Sequence, residues 1–130
     1  MAIPNGAGGY QVGDGNISEV DIYTQSAPVA KTAAATLTAA ELTNGIVTYT
    51  GAAVNLTLPT VADLEVLVSS AKVNSCFDFS IINTGATNAA TVTAGTGWTL
   101  VGVAAVSAVT SATWRARKTG DGSWTAYRLA

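Results

Sequence analysis

The amino-acid sequence predicts an all-β domain, built as an antiparallel β-sandwich or jelly-roll-like barrel with one short helix. Threonine is abundant, and threonine, valine and aromatic residues favour strands. Charged residues make up only 11% of the sequence, whereas soluble domains carry about 25%, so few solvated helix faces can form. Short alternating runs separated by glycine-containing turns complete the pattern. At 130 residues, one such domain is expected.

Residues 1–35 are predicted to form an extended N-terminal arm, and residues 36–130 the β-rich domain. Glycine loses the most backbone entropy on ordering, and the first fifteen residues contain five glycines. This stretch therefore cannot build a core of its own. Before Lys31, its only charged side chains are Asp14, Glu19 and Asp21. One short strand is predicted over residues 20–23.

Two capping patterns predict the helical segments. Thr38 and Glu41 have the spacing of a capping box that opens one helical turn. Thr60 and Asp63 form a second cap, and apolar residues follow it at helical spacing. A short amphipathic helix is therefore predicted over residues 61–69.

Alternation of apolar and polar residues predicts the strands. The run Cys76–Asn83 is the clearest, with Phe77, Phe79 and Ile81 on one face. Further strands are expected at 46–50, 54–58, 89–94 and 98–101, and a final hairpin at 112–118 and 123–129. The small apolar residues 102–110 show no clear strand or helix periodicity.

The register of the last hairpin decides which side chains share its outer face. Pairing Lys118 with Ser123 places Trp114 and Tyr127 on the core side. A turn at Asp121-Gly122 would instead set two arginines opposite each other, and like charges in that position destabilise a sheet. The first register is therefore predicted. Trp and Arg are the residue types that anchor protein interfaces. The predicted interface patch on the outer face consists of Arg115, Arg117, Trp124 and Arg128.

No catalytic residue, cofactor site or metal site is predicted, and the chain is expected not to be an enzyme. It has no histidine and one cysteine, which excludes zinc sites and histidine-based triads within one chain. The opening glycines lack the lysine and spacing of a phosphate loop. The run Asp14–Ser18 spaces its oxygens as a calcium loop does, but the later glycine and glutamate of that loop are missing. Cys76 is expected to be a small core residue.

Nucleic acid and membranes are not expected as partners. The net charge is −2, which argues against general nucleic-acid binding. No apolar run approaches the ~20 residues that span a bilayer, and the opening residues lack the regions of a signal peptide. The low charge content instead indicates that much of the surface lies against other protein.

Three runs of the sequence, in this order, resemble a module of tailed-bacteriophage virion proteins. They are TLTAAELTNGIVTYTGAAVNLTLPT, FDFSIINTGATNAATVTAGTGWTLVG and SATWRARKTGDGSWTAYRL. The opening GAGGYQVGDGNISEV is similar to the leader of small phage head proteins that carry this module. Together these runs cover nearly the whole chain.

The resemblance implies a capsid decoration (cement) protein with no catalytic residues. Such a protein would be a β-rich homotrimer on the outer surface of the capsid, where it bridges major capsid protein subunits against internal DNA pressure. Contacts to the capsid are then expected from the arm, with Tyr10 as an aromatic anchor and Asp14, Asn16 and Glu19 as polar contacts. Related modules also occur in fibre and tail proteins. The alternative is therefore a module that binds host-surface glycan through exposed aromatics such as Trp98 or Trp124.

Overall fold

A computed structural model describes residues 22–130 of the chain, and these residues are mostly β-structure. Two short helices accompany the strands, α1 (Ala39–Thr43) and α2 (Val61–Leu67). The strands, in chain order, are β1 (Val29–Lys31), β2 (Ala35–Thr36), β3 (Ile46–Tyr49), β4 (Val54–Thr57), β5 (Cys76–Asn83), β6 (Ala90–Thr93), β7 (Trp98–Val101), β8 (Ala105–Val106), β9 (Ser111–Gly120) and β10 (Ser123–Arg128).

The strands form two sheets, and most neighbouring strands run parallel. The larger sheet has the order β1-β3-β5-β9-β10-β7, and the smaller sheet has the order β2-β4-β6-β8. Five of the eight strand pairings are parallel, and three are antiparallel. The β-rich prediction is confirmed, but the predicted antiparallel arrangement is wrong for most of the molecule.

The parallel pairing follows from the path of the chain between the sheets. From β1 to β9, consecutive strands lie in different sheets, so β1–β2, β3–β4 and β5–β6 form three successive passes around the core, and only β9 and β10 follow one another within one sheet. Each pass adds one strand to each sheet, and the strand in the other sheet serves as the crossover that parallel pairing requires. The neighbours β1-β3-β5 in one sheet and β2-β4-β6 in the other therefore come from successive passes, as in a short solenoid.

The corners between the sheets are stacked and hydrogen-bonded. Tyr49 donates its hydroxyl hydrogen bond to the Ala52 carbonyl at 2.6 Å, which bends the chain from the larger to the smaller sheet. At the next corner, the buried Asn83 donates to the Val106 carbonyl at 3.0 Å and accepts from the Gly85 amide at 3.0 Å. Buried polar groups need hydrogen-bond partners. These bonds therefore hold the chain at the positions where it turns from one sheet to the other.

Both predicted helix starts are confirmed. Thr38 and Glu41 form the reciprocal hydrogen bonds of a capping box at the start of α1. The Thr60 hydroxyl accepts from the Asp63 amide at the start of α2. Helix α2 ends at Leu67, two residues before the predicted end, and its buried Val61 and Leu64 join the core.

The β-rich domain begins earlier than the predicted boundary at residue 36. Strand β1 and Ala35 of β2 are edge members of the two sheets, although they lie within the predicted arm.

One core lies between the sheets, and its largest buried side chains include Trp114, Trp124 and Phe79. The Phe79 and Trp114 rings stack at 5.5 Å. The predicted strand at 20–23 lies partly outside the described residues, and Ile22 and Tyr23 are not in a strand.

Candidate functional site

The outer face of the larger sheet carries a group of polar side chains that includes an ion pair. Successive residues of a strand point to opposite faces, so the inward Phe77 and Phe79 leave their neighbours on the outside. We call the outward residues of β5, β9 and β10 in this region the arginine face, which consists of Cys76, Asp78, Arg115, Arg117, Thr125 and Tyr127. Cys76, Asp78 and Arg115 are exposed, Arg117 and Tyr127 are half-buried, and Thr125 is buried.

Arg115 and Asp78 form a two-pronged ion pair across β9 and β5. The Arg115 Nε donates to Asp78 Oδ1 at 2.8 Å, and the Arg115 Nη2 donates to Asp78 Oδ2 at 3.0 Å. The hydrogen bond from Arg115 lowers the pKa of Asp78 and raises the pKa of Arg115. Both side chains are about half exposed, and exposed pairs add little stability. The pair therefore shapes the surface more than it holds the fold.

Replacing Arg115 with glutamine is expected to raise the pKa of Asp78 toward its ordinary value. The lowered pKa means that this pair stabilises the fold above the unfolded pKa, and that the stability is lost as pH falls through the folded pKa. Carboxyl NMR titration measures the change directly. The matched control Arg117→Gln removes a neighbouring arginine that does not bond Asp78. An equal shift in both variants would contradict the assignment to the ion pair.

Arg117 is held in place by neutral partners. Its Nε donates to Asn74 Oδ1 at 3.1 Å, and another guanidinium nitrogen donates to the Tyr127 hydroxyl at 2.8 Å. Asn74 has a φ of 78°, a left-handed conformation that asparagine adopts more readily than most residues. Among the described residues, no carboxylate pairs with Arg117. Its positive charge is thus positioned but not neutralised.

The predicted interface patch is split between the two faces of the sheet, because the hairpin register differs from the prediction. Ser123 pairs with Gly120 across a tight turn, and a bulge then shifts the register so that Trp124 pairs with Lys118. A one-residue slip moves every following side chain to the other face. Arg115 and Arg117 are therefore outward, as predicted, whereas Trp124 and Arg128 point inward.

Trp124 is a core residue and not part of an exposed patch. It is 1% exposed, and its ring lies 5.7 Å from that of Phe77 and 6.0 Å from that of Trp98. Its indole nitrogen donates to Glu65 Oε2 at 3.0 Å. Hydrogen bonds from Lys118 and then from Trp124 lower the pKa of Glu65.

Arg128 is a structural residue at the other end of the same strand. Its guanidinium lies 5.5 Å from the centre of the Trp114 ring, a distance at which cation–π attraction acts. It donates to the carbonyl oxygens of Val103 at 3.0 Å and Ala105 at 2.7 Å. Arg128 therefore holds the segment around β8 against the end of β10 by hydrogen bonds. Its neighbour Tyr127, which was predicted to face the core, lies on the outer face.

The predicted arm contacts Tyr10, Asp14, Asn16 and Glu19 lie outside the described residues. The first described residues, Ile22 and Tyr23, are 89% and 88% exposed. A few residues later, the Gln25 amide donates to the Asn44 carbonyl at 2.8 Å. The chain is thus attached to the domain at Gln25 and leaves two large apolar side chains in solvent.

A mostly apolar cavity of about 300 Å³ borders the arginine face at Cys76. Phe77, Trp124 and Val68 contribute to its wall. Cys76 is exposed, so the prediction that it is a core residue is wrong: it takes an outward position of β5, next to the inward Phe77. Sequence reasoning also missed Asn74 and Tyr127, because their roles depend on contacts between distant segments.

The described residues form a β-rich domain of two sheets, with a group of polar side chains on the outer face of the larger sheet. Within residues 22–130, no group of acidic or cysteine side chains is arranged to hold a metal ion. No helix in the described part is long and apolar enough to cross a membrane. Comparison with protein-family models, curated proteins and solved structures finds no match for the chain.

Proposed function

We propose that the chain is a structural virion protein of a tailed bacteriophage, a capsid decoration (cement) protein. It binds the outer surface of the head as a homotrimer and stabilises the shell by joining subunits of the major capsid protein. In this proposal the arm makes the capsid contacts, through Tyr10, Asp14, Asn16 and Glu19. The protein is not an enzyme and takes no cofactor, nucleic acid or membrane as a partner.

The observation that carries the proposal is the exposed segment by which the arm joins the domain. Ile22 and Tyr23 are almost fully exposed, although large apolar side chains gain free energy when they leave water. The hydrogen bond from Gln25 to Asn44 holds this segment at a defined place on the domain. Such a segment suits an arm that buries these side chains against a protein surface.

The glycan-binding alternative has no support from the two tryptophans named for it. It required exposed aromatic side chains, and both candidate tryptophans are buried, Trp98 at 7% and Trp124 at 1% exposure. The Trp98 indole donates to the Pro59 carbonyl at 2.7 Å, which uses its polar group inside the protein. The decoration role is therefore the function that we propose.

Removing residues 1–20 is expected to abolish binding to phage heads that lack this protein, while the domain stays folded. Cosedimentation with such heads measures binding, circular dichroism measures folding, and sedimentation velocity measures the oligomer against the chain mass of 13.0 kDa. A finer variant, Ile22→Asp with Tyr23→Asp, is expected to weaken binding by at least about tenfold, which corresponds to 1.4 kcal/mol.

The matched control for this variant is Val66→Asp. Val66 is a large apolar residue on helix α2 that is also highly exposed, so it tests whether any added surface charge weakens binding. Unchanged binding after removal of residues 1–20 would overturn the role of the arm. Absence of the protein from purified virions would overturn the decoration role itself.

A further inference from the structure

A short segment between α2 and β5 forms one side of the apolar cavity. We call residues 69–73 the strap. They belong to no helix or strand, four of their five side chains are exposed, and the half-buried Ala71 packs against the core. Ser70 and Ala71 of the strap line the cavity together with Phe77 and Trp124. The position of the strap therefore sets the width of the cavity.

Backbone hydrogen bonds fix both ends of the strap. At the first end, the Val68 amide donates to the Leu64 carbonyl at 3.0 Å and closes the last turn of α2. At the second end, the Asn74 amide donates to the Lys118 carbonyl, and the Lys118 amide donates to the Ser75 carbonyl, both at 2.9 Å. Between these ends the strap has few buried contacts, and such segments open locally at a low cost in free energy.

One side chain of β9 holds the middle of the strap. Within residues 22–130, the only hydrogen bond between the strap and a distant element runs from Lys118 Nζ to the Ala71 carbonyl oxygen, at 3.3 Å. The same ammonium group lies 2.8 Å from Glu65 Oε2 on α2. That carboxylate oxygen also accepts from the Trp124 indole nitrogen at 3.0 Å. Glu65 and Lys118, which we call the clasp, thus direct the ammonium group toward the strap.

The clasp is shielded from water better than the ion pair of the arginine face. The side chains of Lys118 and Glu65 are 13% and 25% exposed, whereas those of Arg115 and Asp78 are 51% and 46% exposed. Solvent and salt screen partly buried charges less than exposed ones. The attraction within the clasp is therefore the stronger of the two.

We propose that the strap is a movable wall of the cavity, and that the clasp between Glu65 and Lys118 holds it closed. When the clasp is broken, the Lys118 ammonium group turns to solvent and its bond to Ala71 is lost. The strap then moves outward between its two fixed ends. Opening widens the cavity and uncovers the rings of Phe77 and Trp124. This inference goes beyond the decoration role and does not depend on it.

Acid releases the clasp. The charged groups on the neighbouring segments are Lys118 on β9, Lys72 in the strap and Asp63 on α2 itself, and of these Lys118 pairs with Glu65. Hydrogen bonds from Lys118 and then from Trp124 lower the pKa of Glu65. The clasp is therefore complete above the ordinary pKa of a glutamate and is lost as pH falls through the lowered value.

Amide hydrogen exchange in the full-length protein, followed by NMR, tests the proposal. The Ala71 amide donates to the Val68 carbonyl and reports on the strap, whereas the Val92 amide donates to the Ala104 carbonyl in the smaller sheet and reports on the whole domain. At neutral pH, Glu65→Gln and Lys118→Met are each expected to speed exchange at Ala71 by about tenfold, equivalent to 1.4 kcal/mol of local opening. Exchange at Val92 should not change.

Two further measurements separate the clasp from a general loss of charge. The matched control Asp78→Asn breaks the other ion pair of the larger sheet, which does not bond the strap, and should leave Ala71 unchanged. In the native protein, which needs no substitution, the protection of Ala71 relative to Val92 should fall as the pH is lowered below 4.5, the ordinary pKa of a glutamate. This fall should be absent in Glu65→Gln.

Two results would overturn the proposal. One is unchanged exchange at Ala71 in both clasp variants together with constant relative protection of Ala71 in the acid titration. The other is an equal acceleration of Ala71 and Val92, because the clasp would then stabilise the whole domain and not the strap in particular. Neither result bears on binding to phage heads, so the decoration role is tested separately.

Discussion

Replacing Trp124 with alanine is expected to lower the free energy of unfolding by about 3–5 kcal/mol, as large-to-small substitutions of buried aromatic residues do. The side chain is 1% exposed and packs between Phe77 and Trp98. Removing it leaves a void at the end of the core and takes away the hydrogen bond to Glu65. Chemical denaturation monitored by circular dichroism measures the loss.

The size of this effect distinguishes a core residue from a surface contact. If Trp124 were part of an exposed patch, the substitution would change stability by only about 0.5 kcal/mol or less. The variant Trp124→Phe retains most of the packing and removes only the indole donor, so its loss should lie between those of the native protein and the alanine variant. A near-neutral Trp124→Ala would show that the hairpin register described here is wrong.

Replacing Gly51 with alanine is expected to destabilise the protein by at least about 2 kcal/mol, because both backbone strain and crowding oppose the new methyl group. Gly51 lies at the corner between β3 and β4 with a φ of 145°. A Cβ atom there would be 2.5 Å from the Thr32 carbonyl oxygen, which belongs to the preceding pass. The methyl group would therefore push two stacked corners apart.

Gly120 is the matched control for this substitution. It lies at the end of β9, and a Cβ atom on it would have no other heavy atom within 4 Å. Gly120→Ala is therefore expected to be close to neutral in the same denaturation experiment. Equal losses at both glycines would indicate a general cost of replacing glycine and would count against the stacked corners as a determinant of the fold.

The local elements follow closely from the sequence, as the strand Cys76–Asn83 illustrates. Its observed bounds are those predicted, and the inward positions of Phe79 and Ile81 are confirmed. The capping box at Thr38 and the cap at Thr60 are confirmed as well. Alternation and capping involve only residues a few positions apart, so one sequence is enough to predict them.

The pairing of the strands does not follow in the same way. The run from β3 to β4 resembles two arms of a hairpin, but the corner at Gly51 sends the second strand to the other sheet. Whether a short connection forms a hairpin or a corner depends on what packs against it, here Thr32 from an earlier pass. Contacts between distant parts of the chain leave no local pattern in the sequence.

The last hairpin, which contributes to the candidate site, could also be predicted only in part from the sequence. Repulsion between Arg115 and Arg128 argues against setting them opposite each other, and the structure pairs Arg115 with Tyr127 instead. It does so by a bulge after the turn, which the charge argument alone does not predict. The bulge separates the predicted patch, so that Arg115 and Arg117 remain outside and Trp124 enters the core.

Seven of the ten strands and the starts of both helices could thus be predicted from the sequence, because they depend on short-range periodicity and capping. The short edge strands β1, β2 and β8 were not predicted, since two or three residues are too few to show a period. The parallel pairing, the burial of Trp124 and the assembly of the arginine face could be read only from the folded structure. Each of these depends on backbone hydrogen bonds or side-chain contacts between distant residues, such as Asn74 with Arg117. Those contacts form only when the passes of the chain stack on one another.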